Sequence, residues 1–156
     1  MRIALGADHR GSGAANRLME HLHAQGNGVE ALGGICQESS DYPDKAYVVA
    51  SAVSQGKADR GVLLCGSGIG MCIAANKVKG VRAALVHDEL SAEMSRRHND
   101  ANVLCIPADL LGEKLIERIV DVWVSTPFDG GRHARRVQKI AAIEAGADPR
   151  EVEAPV

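Results

Sequence analysis

The sequence predicts an α/β fold: a five-stranded, doubly wound parallel sheet in a Rossmann-like three-layer sandwich, finished by a C-terminal helical arm. Three observations lead there. Short apolar or β-branched runs alternate with stretches of helical period from one end of the chain to the other. A glycine-rich turn follows the third of those runs directly. The last helical stretch has no strand after it.

Taken in order, the strands are expected over 2–7, 28–32, 60–65, 81–86 and 102–106. Between the first two, Ala15, Leu18, Met19 and Leu22 recur at helical spacing, and Ala46, Val49, Ala50 and Val53 do so before the third. After the fifth strand, Leu111, Leu115, Ile119 and Val122 are read as one face of a longer helix. A buried helix should start near Ile69. Beyond Thr126-Pro127 and Asp129-Gly130-Gly131, a final helix begins near His133 with Val137, Ile140 and Ala141 on one side. Such a stripe either covers its own sheet or packs on a partner subunit. Residues 1–146 read as one domain and 147–156 as a loosely held tail.

Composition narrows the class of function. The chain has 156 residues, 46% of them apolar and 24% charged, which is globular rather than disordered. A formal net charge of −2 gives no bulk attraction to nucleic acid or membrane. No run approaches the roughly 18–20 apolar residues of a membrane helix, and Met1-Arg2-Ile3-Ala4-Leu5-Gly6 lacks the layout of a signal peptide. Cys36, Cys65, Cys72 and Cys105 show no C-x-x-C pair and no metal-ligand spacing. The expectation is a cytoplasmic protein with unbridged thiols and no metal or cofactor.

In a doubly wound sheet, ligands sit at the carboxyl ends of the strands. There the chain places Gly61-Val62-Leu63-Leu64-Cys65-Gly66-Ser67-Gly68-Ile69-Gly70. Small residues let several N–H groups converge on one anion, and a thiol beside them has its thiolate favoured. Cys65 is then usable as a proton-abstracting base, with the N–H groups holding an oxyanion. The plain alternative is a tight turn beside a small buried cysteine. A dinucleotide fold fits poorly, although Asp88 stands near where a ribose-binding acid would sit. The glycines run G-x-G-x-G, with Met71 where the third glycine of that fingerprint belongs.

Three further signals are weaker. Arg132 and Arg136, four apart after Gly130-Gly131, share a helix face and either grip a phosphate or form a solvated basic end. Asp8-His9 follows the first strand and adjoins the Cys65 loop. His98-Asn99-Asp100 before the last strand is either a capping cluster or a proton shuttle. His21 and His23 read as surface residues, and His87 opens a loop after a strand.

Together these pieces resemble the type B ribose-5-phosphate isomerase family, whose relatives include the galactose-6-phosphate isomerase subunits. The resemblance rests on Gly6-Ala7-Asp8-His9, Asp41-Tyr42-Pro43, Cys65 to Gly70, Ala74-Ala75-Asn76-Lys77, His98 to Val103 and Gly130-Gly131-Arg132-His133. It implies an aldose–ketose phosphate isomerase without metal, working in carbohydrate metabolism of the pentose phosphate kind. The implied substrate is ribose 5-phosphate, with a tetrose or hexose phosphate as the alternative. A non-catalytic sugar-phosphate or nucleotide-binding module is the reading from another class. By the same resemblance the active unit is a homodimer, or a dimer of dimers, whose pockets draw residues from both subunits.

The implied roles follow the matching positions. Cys65 moves the proton between C1 and C2, while Gly66, Ser67, Gly68, Ile69 and Gly70 cradle the enediolate. His98 opens the sugar ring, aided by Asp8. His9, Arg132 and Arg136 hold the phosphate, and Asn99 and Tyr42 contact hydroxyls. The family carries either a cysteine before the glycine loop or a glutamate after it; Cys65 and Met71 place this chain in the cysteine variant. Two positions depart from the pattern. Asp109 stands where many members have an arginine, and Arg10 follows His9 where a small residue is usual. Either Arg10 replaces the missing charge or the pocket suits another sugar.

Overall fold

The computed structural model describes residues 1–35 and 38–152; Cys36 falls outside them. Five parallel strands form one sheet in the order β2-β1-β3-β5-β4. They are β1 (Arg2–Ala7), β2 (Gly28–Ala31), β3 (Arg60–Cys65), β4 (Ala83–Leu85) and β5 (Val103–Pro107). The helices are α1 (Ser12–Ala24), α2 (Tyr42–Ser54), α3 (Ile69–Ala75), α4 (Glu89–Asn99), α5 (Glu113–Ser125) and α6 (Arg132–Glu144). No helix among the described residues is long and apolar enough to cross a membrane.

The winding follows from the right-handed rule for β-α-β crossovers. The steps β1 to β2 and β4 to β5 move one way across the sheet, and α1 and α4 cover one face. The steps β2 to β3 and β3 to β4 move the other way, so α2 and α3 cover the opposite face. Strand side chains divide accordingly. Ile3, Leu5, Val62, Leu64, Leu104 and Ile106 join α1, α4 and α5 in one core. Ala4, Leu63, Cys65, Val103 and Cys105 join α2 and α3 in the other. Cys65 therefore points into the α2/α3 layer.

Three expectations need correction. The buried face of α5 is Ile116, Ile119, Val120 and Trp123; Leu111 precedes the helix, and Leu115 and Val122 are only half-buried. The stripe is set by Trp123, which lies fully buried with the guanidinium carbons of Arg60 and Arg96 at 5.1 and 5.9 Å from its ring. Helix α3 buries only Met71 and Ala75, leaving Ile69 and Ile73 more than half exposed. Strand β4 is three residues long, because edge position leaves it one ladder, to β5.

Helix α6 meets α4 of its own chain and the turn before β4, where Glu144 accepts the Gly80 N–H at 2.8 Å. Ile140 and Ile143 stay exposed. Residues 147–152 hold a 3-10 turn over Pro149–Glu151, whose Pro149 carbonyl accepts from Lys139 Nζ at 2.5 Å; residues 153–156 lie outside the described residues.

Candidate active site

The sheet reverses its winding at β1 and β3, so the loops after β1, β3 and β5 stand side by side at one end. An open cleft of ≈ 620 Å³ lies there, lined by Asp8, Arg10, Tyr42, Cys65, Gly66, Ser67, Ile69, Gly70, Ile73, Asp109 and Leu110. A second hollow of ≈ 480 Å³ beside β2, lined in part by Arg2, Ile3 and Ala4 of the first strand, holds none of the motif residues. In the cleft Asp8, Tyr42 and the Cys65 loop converge.

Each wall has a local cause. Cys65 ends β3 and is 5% exposed. Gly68 turns the chain with φ 72°, a left-handed conformation natural to glycine, and its N–H donates to Cys65 Sγ at 3.2 Å. Ser67 Oγ accepts from the Ile69 N–H at 3.4 Å. Asp8 is buried, and its Oδ1 accepts from the N–H groups of Arg10 and Gly11 at 3.0 and 3.1 Å. That closes the loop after β1 with Asp8 lining the cleft. Gly70 has no side chain because the Tyr42 ring lies where its Cβ would be. Asp109 is pinned from the other side, its N–H donating to the Gly66 carbonyl at 3.1 Å.

The remaining site candidates lie elsewhere in the chain. Arg82 Nε donates to the carbonyls of Asn99 and Asp100 at 3.1 and 2.9 Å, fixing the end of α4 beside the start of β4. His98 and Asn99 are the last two of the eleven residues of α4, so the length of that helix, at about 1.5 Å per residue, separates them from the cleft end. His98 stacks on His133 with ring centroids 4.2 Å apart and planes 2° from parallel. Arg132 and Arg136 open α6 beside this pair; Arg132 Nε is 3.4 Å from His133 Nε2. His9 is exposed and does not line the cleft.

His133 was not singled out by the sequence, though it stands next to Arg132 in the same motif. It is buried, and its Nδ1 has no hydrogen-bond partner among the described residues. Burial, then His98, Arg132 and Arg136, hold its imidazole below the ordinary pKa. Ligand atoms of His98, Asp129 and His133 lie within 4.8 Å of one another. Arg97 Nε, however, already binds both Asp129 oxygens at 3.1 Å, and with Arg132 alongside the cluster is cationic rather than a cation's site.

A family model described as Ribose/Galactose Isomerase matches residues 3–140. The chain belongs to that family. Within it, the chain is 43% identical over 143 residues to ribose-5-phosphate isomerase B of Escherichia coli, covering 92% of this chain and 96% of the relative. It is 41% identical over 145 residues to D-erythrulose-4-phosphate isomerase of Pectobacterium atrosepticum, covering 92% and 95%. Among solved structures, ribose-5-phosphate isomerase B of Clostridium thermocellum superposes with a TM-score of 0.92 at 45% identity, covering 94% of this chain and 99% of that one. The family match spans all of the sheet but Arg2 and runs into α6.

Proposed function

We propose that the chain is an aldose–ketose sugar-phosphate isomerase, interconverting ribose 5-phosphate and ribulose 5-phosphate through a cis-enediolate. The observation that carries the reading is Cys65 Sγ at the cleft wall with the Gly68 N–H aimed at it. Negative charge on sulfur is met there by a donor, so Sγ can take the proton from C2 of the open-chain aldose. The C–H electrons form the C1–C2 double bond as the carbonyl oxygen at C1 becomes the oxyanion. Returning the proton to C1, while the C2 hydroxyl gives its proton up to O1 and becomes the carbonyl, completes the ketose. Gly66, Ser67, Ile69 and Gly70 line the cleft beside Cys65, and we take the loop from Gly66 to Gly70 as the cradle for that oxyanion. Asp8 and Tyr42 take hydroxyl contacts.

His98, as the acid for ring opening, and Asn99, Arg132 and Arg136, as hydroxyl and phosphate contacts, sit at the other end of α4. We therefore take the active unit to be a homodimer in which one copy's α4–α6 end faces the other's cleft. Ile69, Ile73 and Leu110, 53%, 59% and 65% exposed around the cleft mouth, are the apolar surface such a contact would cover. The domain is taken as 1–146, the setting as cytoplasmic, and the reaction as metal-free. A tetrose phosphate is the second substrate reading, favoured by the erythrulose-4-phosphate relative.

The test is ribose 5-phosphate in D₂O with chelator, followed at C1 and C2 by NMR. Wild type should form ribulose 5-phosphate, and Cys65→Ala should lose roughly 10²–10⁴-fold in rate with its fold intact. Mixing Cys65→Ala with His98→Asn should restore part of the activity, since one site in a mixed dimer has both groups. Near-normal turnover by Cys65→Ala sinks the role of the base; no recovery on mixing sinks the shared site.

A further inference from the structure

Three charged side chains line the cleft: Asp8, Arg10 and Asp109. Arg10 is the sole cation among these lining residues, set against two carboxylates. On the reading above, on which this inference rests, the ligand adds a phosphate of charge about −1.5 to −2 at neutral pH. Beside the arginines that the other copy would bring, a cation in this wall would offset that repulsion.

Arg10 is built to do so. Its Nε donates to Asp109 Oδ2 at 2.5 Å, across a sequence separation of 99 residues. Its backbone N–H is held by Asp8 Oδ1 at 3.0 Å. Both loops are tied to the end of β3: the Asp8 N–H donates to the Leu64 carbonyl at 3.2 Å, and the Ala108 N–H to the Cys65 carbonyl at 2.9 Å. The pair lies directly over Gly66, where a Cβ would be 2.5 Å from Asp109 Oδ2 and 2.8 Å from Arg10 Nε. With Nε engaged, a guanidinium still presents its two Nη groups as donors in a fixed plane. Neither Nη has a partner among the described residues. A held guanidinium with a free donor edge at a cleft wall suits a phosphate.

We propose that Arg10 binds the substrate's phosphate within its own chain's cleft and that Asp109 is the residue that positions it. Asp109 is not a phosphate ligand. As an anion it repels the ligand, and Arg10 screens it. Losing Arg10 therefore both removes a contact and uncovers a carboxylate. The pair's side chains are 58% and 35% exposed, so its share of fold stability is small and the variants should fold.

The experiment measures KM for ribose 5-phosphate, kcat, and competitive inhibition by inorganic phosphate in Arg10→Ala, Arg10→Lys, Asp109→Ala and the Arg10→Ala/Asp109→Ala double variant. Arg10→Ala should raise KM and the phosphate inhibition constant together by roughly 10–100-fold, the range for charge-assisted hydrogen bonds, with kcat changing far less. Arg10→Lys should fall between, keeping charge without the fork. Asp109→Ala alone should raise KM roughly 2–5-fold, yet in the Arg10→Ala background the same change should lower KM. Unchanged KM and inhibition constant in Arg10→Ala overturn the assignment. A double variant no better than Arg10→Ala overturns the role of Asp109. If wild type turns over no sugar phosphate, the isomerase reading fails separately. Calorimetric titration with inorganic phosphate then decides for Arg10 alone: binding lost in Arg10→Ala upholds it, whereas equal or absent binding in both proteins overturns it.

Discussion

Two glycines in the loops that bear the cleft make a paired test of what holds it together. A Cβ at Gly11 would lie 2.6 Å from the Leu64 carbonyl oxygen, 2.7 Å from its carbon and 2.8 Å from Leu64 Cβ. These atoms belong to the central strand and cannot swing aside. Ordinary contact begins at 3.4 Å, so between 2.6 and 3.4 Å the loop after β1 must retreat by 0.8 Å. Gly11 has φ −90° and ψ −8°, open to any residue, so backbone conformation is not the cause. Overpacking of this kind costs about 1–3 kcal/mol, and the retreat weakens the Asp8–Leu64 hydrogen bond by about 1 kcal/mol. For a domain of this size that lowers the melting temperature by roughly 4–16 °C. A Cβ at Gly66 meets equally close atoms, but they are the tips of Arg10 and Asp109. Those can swing out, at the cost of one exposed ion pair, about 0–1 kcal/mol. Gly66→Ala should therefore melt within roughly 4 °C of wild type while raising KM toward the Arg10→Ala value. Differential scanning calorimetry with steady-state kinetics reads both. Gly11→Ala melting beside wild type, or Gly66→Ala melting as low as Gly11→Ala, would refute the reasoning.

Two further predictions come from the titratable groups. Hydrogen bonding to Cys105 brings the Cys72 thiol down to about 7, so peptide-resolved alkylation of Cys72 should rise with a midpoint near there, and Cys105→Ala should move that midpoint up. The pKa of His133 is lower in the folded than in the unfolded chain, so as pH falls through the ordinary imidazole range, about 6.5, the unfolded state binds the proton first and stability drops. Denaturant midpoints at successive pH values should show this fall in wild type and a smaller one in His133→Asn; equal slopes would remove His133 as its source.

Much of the fold is legible in the sequence because parallel strands buried on both faces read as continuous apolar runs. β1 and β3 match their expected limits residue for residue. β4 is overextended in the reading, since Val81 and Val86 are buried without belonging to the strand. The α5 stripe is missed by one position: two apolar series share that segment, and only the tertiary slot for Trp123 selects between them. At the site, Asp8, Tyr42 and the Cys65 loop do converge, as strand-end loops in a doubly wound sheet should. The stacking of His98 on His133 is not legible, because no local pattern reports which of two sequence-distant helix ends will meet.

The strand order explains why the Arg10–Asp109 contact also escapes a linear reading. β3 is flanked by β1 and β5, not by β4, so the loops nearest Cys65 come from opposite ends of the chain. Both are hydrogen-bonded to the last residues of β3, which fixes their separation from each other. A charge moved from position 109 to position 10 thus stays within reach of the same ligand without any backbone change. Read alone, the acid at 109 looks like the loss of a cationic pocket. Bonded to Arg10 it leaves the cleft with its cation in place, reached from the other loop, and with a carboxylate holding that cation still. Substrate choice in this family member would then turn on how far the free edge of Arg10 reaches from Cys65, a distance set by the Asp109 tether rather than by the glycine loop.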